Sequence, residues 1–574
     1  MATRPERIAP PSRRQALEAS ISTWVPHTIS QGLDRAASRH PDRPLVICDD
    51  RTWTYADIRD ASRRLAARFL RHCIRPREHV GLYLANYAEF VIAKFAIARI
   101  GAVAVPINFL LRRQELAYVL QQSECVALIA MDQFRDRDYL ADLDAIMPGW
   151  ETAGGGASLQ DLRQVFVHTT GRPRRDGYEP LLRDTLGDDT ADQALLANAE
   201  AVADPHFRSD VIYTSGTTGK PKGVVITHDM AMRTAYASAY SRAIEDGRRI
   251  LFSLPMYHVF GYVECLLASL FTGGAVVPRL VFDPEDMLAA AERYEVGEIV
   301  CVPLMTLKLI ETARARGFDC PSLVAFFNSG GISPPSIWQD IRDVLHASEL
   351  LTGYGMTETT ASTCCTLPEG DDRHLLTSNG RLKDAGAAGR DQPGGKLALY
   401  KAVDPESRKD LPFGMPGELL ARGYAVTSGY YKKPEENAAS FTADGWLRTG
   451  DLGTVDADGY VAMLGRIKES YRCGGEMVMP QEIEEVLAQH AGVDIAYVVG
   501  VPDPKMGEVG CAFVVSSGTP PSPEELITHC AERLARFKVP KHVIFVKQDE
   551  VPHTATGRAQ RVYLGTVARQ RLGL

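Results

Sequence analysis

The segment with the most chemical promise is VIYTSGTTGKPKGVVITH, residues 211–228. It starts as an apolar strand and breaks into a loop holding Thr214, Ser215, Gly216, Thr217, Thr218, Gly219, Lys220 and Lys222. Those residue types suit a polyphosphate. Glycine lets the backbone approach an anion closely and adopt positive φ. Hydroxyls and backbone N–H groups donate to phosphate oxygens, and lysine adds the stronger charge-assisted bonds. The loop is not a Walker motif, which needs four residues between its first glycine and its Gly-Lys; here two separate Gly216 from Gly219. A flexible linker of similar composition would have neither the strand before it nor two lysines set against glycines.

Two other residues stand out. His258 lies among aromatics in LPMYHVFGY, where a lone histidine is more often a packed core residue than a catalyst. Asp451 lies in TGD, a common setting for a turn aspartate.

These residues need a frame. After residue 20 the chain alternates helical spacing, as in Phe90, Ile92, Ala93, Phe95 and Ala96, with short apolar runs at 102–107, 125–130, 211–215, 250–255, 298–304 and 323–329. Runs of that length between helices predict buried strands in an α/β fold. Ser333-Pro334 reads as N-cap and first helical residue, Ser522-Pro523-Glu524-Glu525 as a capping box, and Pro480 as another helix start. Residues 150–156 (WETAGGG) read as a surface loop, and the clearest late break is GRIKESYRCGG, 465–475.

Composition narrows the function classes. A chain of 574 residues predicts at least two domains, with 45 % apolar and 24 % charged residues in an ordinary globular balance. A net charge of −8, dispersed with no long run of one sign, gives no reason to expect nucleic acid as a partner. The eleven cysteines form no CxxC pair, which suits free thiols in a reducing cytosol, and the expected location is cytoplasmic. No apolar run is long enough for a transmembrane segment. The start, MATRPERIAPPSRR, lacks an apolar signal core, and residues 1–25 are expected to be disordered.

YTSGTTGKPKG resembles the signature of the adenylate-forming superfamily, which includes acyl-CoA synthetases, nonribosomal peptide adenylation domains and luciferases. YGMTE (354–358), GYYKKPE (429–435), GWLRTGDLG (445–453), GRIKE (465–469) and VPHTATGRAQR (551–561) resemble its later motifs, in order. The likeness covers residues from about 30 to 564. It implies an α/β fold: a large multi-subdomain N-terminal domain (26–467) with helix-flanked sheets, and a small mobile α+β C-terminal domain (468–574). It also implies residue roles. The 213–223 loop would grip the β- and γ-phosphates of ATP, Thr357 the α-phosphate, and Glu358 Mg²⁺. Tyr354 would lie against adenine with Gly330 and Gly331 nearby, while Asp451, helped by Arg466, would accept the ribose hydroxyls. His258 would border the acyl pocket, with Tyr262 and 326–331 as weaker pocket candidates. Gly474 and Gly475 would offer a backbone path for coenzyme A, although Met477 replaces the usual asparagine. Glu469 aligns with a hinge that is usually Asp or Lys. The family's tail lysine is replaced by Arg558, which keeps the charge on a bulkier, forked group.

The implied activity is ATP-dependent conversion of a carboxylic acid to an acyl-adenylate, then thioesterification to coenzyme A. With no carrier or condensation domain in these 574 residues, a coenzyme A acceptor is expected. The alternatives are transfer to a separate carrier protein and a nucleotide-binding pseudoenzyme with weak adenylation. Medium-chain fatty, alicyclic and aryl acids all remain open as substrates.

Overall fold

The computed structural model describes residues 8–171, 177–182, 190–214, 220–331, 333–516, 518–553 and 559–574. Ser215, Gly216, Thr217, Thr218 and Gly219 of the phosphate loop, and Arg558 of the tail, lie outside the described residues.

Two seven-stranded sheets dominate the first 350 residues. One runs Glu349–Leu351, Ala325–Asn328, Glu298–Cys301, Arg249–Phe252, Ala275–Pro278, Pro44–Ile47, Thr52–Thr54, and only its last pairing is antiparallel. The other runs Lys222–Thr227, Arg208–Thr214, Val103–Pro106, His79–Tyr83, Cys125–Met131, Gln164–His168, Glu179–Pro180, and only its first pairing is antiparallel. Parallel strands need crossover helices, and helices on both faces explain why the strands read as unbroken apolar runs. The crossover helix Ala88–Arg99 is buried at every residue but Glu89. One continuous apolar cluster joins the two sheets, taking Val80, Phe95 and Val105 from one side and Ile250, Val276 and Phe327 from the other.

Three antiparallel strands (Gly353–Met356, Ala361–Cys365, Arg381–Leu382) and a four-stranded antiparallel sheet (Ala398–Val403, Gly417–Gly423, Leu447–Val455, Val461–Arg466) follow. The last sheet is built from Tyr471–Cys473, Glu476–Val478, Ile495–Asp503, Gly507–Val515 and His542–Phe545. With the helices Pro480–Leu487, Pro523–Ala531 and Arg561–Leu572, it encloses an apolar cluster drawn wholly from residues 471–572. The architecture is the expected α/β one, and Pro480 and Ser522-Pro523 start helices as predicted.

Three local expectations are corrected. Residues 10–20 of the supposedly disordered start form a helix, opened by Pro10 and anchored by buried Arg13 and Leu17. Residues 150–153 of the supposed loop make one helical turn, because Trp150 is buried and pins it. Ser333 and Pro334 do not cap a helix, which starts at Ile337; the Ser333 hydroxyl instead accepts from Asn328 Nδ2 at 2.8 Å.

Arg13 enters a buried ion network. It meets Glu245 at 3.5 Å and also pairs with Glu349. Arg248 reaches Glu349 at 3.3 Å and Glu298 at 3.6 Å. Arg242 reaches Glu298 at 2.5 Å and Glu264 at 3.6 Å, and Lys383 reaches Glu264 at 3.0 Å. Glu264 also accepts from the Ser362 backbone N–H at 2.9 Å, which fastens the helix Phe260–Leu267 to the strand after YGMTE. Ion pairing removes little free energy overall when both charges must be dehydrated, but removing one partner is costly. Lys383→Met should therefore destabilise the protein by about 3 kcal/mol in urea unfolding. Lys308→Met, at an exposed pair, should cost under about 1 kcal/mol.

Candidate functional site

The four-stranded sheet places two predicted residues side by side, pairing Asp451 with Arg466 across neighbouring strands. Their side chains meet at 3.0 Å (Arg466 Nε to Asp451 Oδ1), but without hydrogen-bond alignment, so both atoms keep bonding capacity. Asp451 is 1 % exposed. Its other oxygen accepts from Tyr354 Oη at 2.6 Å. Burial, then the Asp451 charge, pushes the Tyr354 hydroxyl well above its usual range, so it stays protonated and donates. Burial works against the Arg466 charge, but Asp451 and Glu469 more than offset it. Tyr354, Asp451 and Arg466 thus converge, with one carboxylate oxygen not committed to a hydrogen bond.

Gly330 and Gly331 follow the strand Ala325–Asn328. Ser329 Oγ donates to the Gly353 carbonyl at 2.6 Å, tying the glycines to the residue before Tyr354. Gly330 has φ +93°, a conformation that a side chain would strain.

The YGMTE segment continues into a 3₁₀ turn, Thr357–Thr359, closed by Thr360 at φ +64°. Thr357 and Glu358 are both buried. Glu358 Oε1 accepts from Tyr430 Oη at 2.9 Å, and its carbonyl accepts from Thr427 N at 2.8 Å. Burial raises the Glu358 carboxyl above the usual carboxylate range, against the Tyr430 bond and the Arg466 charge. The strands that flank the expected phosphate loop run out along Arg208–Thr214 and back along Lys222–Thr227 at a sheet edge. Thr214 is half-buried at the end of its strand and Lys220 is exposed, its Nζ 5.7 Å from the Tyr118 ring centre. Lys222 Nζ lies 5.1 Å from the Tyr430 ring centre. Tyr430 therefore joins Glu358 to Lys222 of the returning strand, a link that residue pattern did not reveal although GYYKKPE marked the segment.

Among the described residues no group of three His, Cys, Asp or Glu side chains could cage a metal. A lone buried carboxylate nevertheless suits Mg²⁺, which takes one or two carboxylates and fills its remaining positions with phosphate oxygens and water.

The other candidates are more scattered. His258 is half-buried just before the helix Phe260–Leu267, and its Nδ1 accepts from Phe260 N at 3.3 Å. Tyr262 is packed in the core with Lys94 Nζ 4.5 Å from its ring centre, and Phe326 and Phe327 are fully buried. Gly474 (φ +61°) and Gly475 (φ +89°) form the two-residue turn between Tyr471–Cys473 and Glu476–Val478, a tight hairpin that requires positive φ at both positions. Glu469 pairs with Arg561 at 3.0 Å.

Two family models match the chain: AMP-binding enzyme over residues 33–431 and AMP-binding enzyme C-terminal domain over 482–558. The chain belongs to the AMP-binding enzyme family. It is 33% identical over 550 residues to the putative acyl-CoA synthetase YngI of Bacillus subtilis (strain 168), covering 95% of this chain and 97% of that protein. It is also 33% identical to the 3-[(3aS,4S,7aS)-7a-methyl-1,5-dioxo-octahydro-1H-inden-4-yl]propanoyl:CoA ligase of Mycobacterium tuberculosis (strain ATCC 25618 / H37Rv), covering 94% and 98%. The solved structure of o-succinylbenzoate CoA synthetase (MenE) from Bacillus subtilis in complex with its acyl-adenylate intermediate OSB-AMP matches with TM-score 0.73 and 27% identity, covering 93% of this chain and 97% of that one.

A double-mutant cycle tests the Tyr354–Asp451 contact. Tyr354→Phe and Asp451→Asn should couple by about 1.5 kcal/mol in unfolding free energy, the scale of a hydrogen bond to a charged group. Coupling near zero would separate the two residues.

Proposed function

We propose that the chain is an AMP-forming acid–thiol ligase that activates a carboxylic acid with ATP and Mg²⁺ and passes the acyl group to coenzyme A. In the first half-reaction a carboxylate oxygen bonds to the α-phosphorus of ATP, the α–β bridging bond breaks, and pyrophosphate leaves. In the second, the coenzyme A sulfur bonds to the acyl carbon, losing its proton, and AMP leaves with the former carboxylate oxygen. Charge grows on phosphoryl oxygens, so positioning and electrostatics carry the rate.

The observation that carries this reading is a pair of clusters built from the motif residues: Tyr354, Asp451 and Arg466 in contact with one another, and Glu358 and Lys222 joined through Tyr430. Asp451 takes the ribose hydroxyls, using the oxygen that is not committed to a hydrogen bond, with Arg466 beside it. Tyr354 and the Gly330–Gly331 backbone flank adenine. Thr214, Ser215, Gly216, Thr217, Thr218, Gly219, Lys220 and Lys222 hold the β- and γ-phosphates, and Thr357 the α-phosphate. Glu358 holds Mg²⁺, which when bound neutralises phosphate charge. His258 borders the acyl pocket, and Arg558 brings its charge between acid and ATP. Residues 26–467 and 468–574 act as two domains, with Glu469 as hinge and Gly474–Gly475 on the coenzyme A path. The separate apolar cluster within 471–572 supports that division.

The acid is medium-sized and hydrophobic, of the alicyclic or medium-chain class. The Mycobacterium relative, whose name specifies an indenyl-propanoyl acid, supports this choice. The reaction takes place in the cytoplasm; no helix among the described residues is long and apolar enough to cross a membrane.

A panel of carboxylic acids with ATP, Mg²⁺ and coenzyme A tests the assignment. Acid-dependent AMP and acyl-CoA formation is expected, and no AMP with any acid contradicts it. Asp451→Ala should raise the KM for ATP at least about tenfold, the equivalent of about 1.4 kcal/mol. Arg558→Lys should speed acid-dependent pyrophosphate release, because a compact ammonium fits a tight site better than a fork. An unchanged or slower rate would count against that role.

A further inference from the structure

The GYYKKPE segment has no role in the reaction described so far. We propose that Tyr430 is a positioning residue that sets the spacing between the metal-holding Glu358 and the phosphate-holding Lys222. The proposal rests on the ligase reading above.

Tyr430 touches both groups with different parts of one side chain. Its hydroxyl donates to Glu358 Oε1 at 2.9 Å, and its ring centre lies 5.1 Å from Lys222 Nζ. Its backbone is held on two sides. It pairs with Val224 of the returning strand of the phosphate hairpin, flanked by Val225 N to Gly429 O at 3.1 Å and Tyr431 N to Gly223 O at 2.7 Å. On its other side the Asn437 side chain accepts from Tyr430 N at 2.6 Å and donates to Tyr430 O at 3.0 Å. That close approach needs Gly429, where a Cβ would fall 2.6 Å from Asn437 Oδ1 and φ is +139°.

In extended backbone, successive side chains point to opposite faces. Tyr431 accordingly turns away from the site, and its hydroxyl donates to Glu124 Oε2 at 2.8 Å. Thr427 completes the tie, with its N–H on the Glu358 carbonyl at 2.8 Å and its hydroxyl on the Val225 carbonyl at 2.6 Å. Residues 427–431 thus clamp the Glu358 turn to the phosphate hairpin, and Tyr430 is the part of the clamp that reaches both functional side chains. Phenylalanine at 430 would keep the ring by Lys222 and leave a buried carboxylate oxygen without its donor, a costly arrangement.

The two halves of the side chain can be tested separately by measuring ATP binding to the full-length protein by calorimetry, once with Mg²⁺ and once in EDTA. Tyr430→Phe should weaken ATP binding about tenfold with Mg²⁺, the worth of one hydrogen bond to a charged group, and leave binding in EDTA as in wild type. Tyr430→Leu should weaken binding in both conditions, because Lys222 loses its ring. In pyrophosphate exchange, Tyr430→Phe should raise the Mg²⁺ concentration for half-maximal rate and recover its kcat at saturating Mg²⁺. Tyr430→Phe binding as wild type in both conditions would overturn the proposal, as would an equal loss in both, which signals general damage. Wild type that does not bind ATP would instead remove the ligase reading itself, and this proposal with it.

Discussion

Asp451 and Glu358, two carboxylates expected to work on the nucleotide, are charges that the fold has taken out of water, and a dehydrated charge must be paired. Asp451 meets this demand through Tyr354 and Arg466, and Glu358 through Tyr430. Each pairing joins segments distant in sequence, the Tyr354–Asp451 bond spanning 97 residues and the Tyr430–Glu358 bond 72. Electrostatic necessity therefore assembles the site. A carboxylate buried to gain strength toward a cation or hydroxyl also fixes its neighbours, and in a low-dielectric setting those contacts count for more than they would in water.

The same rule holds below the site. The network from Arg13 to Lys383 alternates cations and anions, Arg13, Arg242, Arg248 and Lys383 against Glu245, Glu264, Glu298 and Glu349. It ends on Ser362, one strand beyond Thr357 and Glu358. Rigidity at the working end thus reaches back to a helix near the N-terminus. This suits a ligase whose catalysis depends on placing two reactants and a polyphosphate, because preorganised groups cost nothing to reorganise during the reaction.

Much of this was legible in the residues. Buried parallel strands announce themselves as short apolar runs, and those at 125–130 and 298–304 became strands Cys125–Met131 and Glu298–Cys301. The loop proposed to hold phosphate was visible because the chemistry asked of it is local, as glycines, hydroxyls and lysines must be neighbours to surround an anion. The N-terminal helix was hidden, since its basic stretch looks solvated until Arg13 finds Glu245 and Glu349, more than 200 residues away. Trp150 was hidden for a related reason, because burial of its ring in the core overrides a glycine-rich local signal. Tyr430 lay in a recognised motif, but its purpose depends on which face of an extended segment meets Glu358, and only tertiary pairing decides that.

On this reading one triphosphate lies between the Arg208–Thr227 strand pair and Glu358 while its ribose rests on Asp451. A crystal structure with Mg²⁺ and a non-hydrolysable ATP analogue tests this most directly. The account predicts phosphate density against Lys220, Lys222 and the Glu358–Tyr430 pair, with ribose hydroxyls on Asp451. Nucleotide bound elsewhere, or with its phosphates turned away from that strand pair, would contradict it.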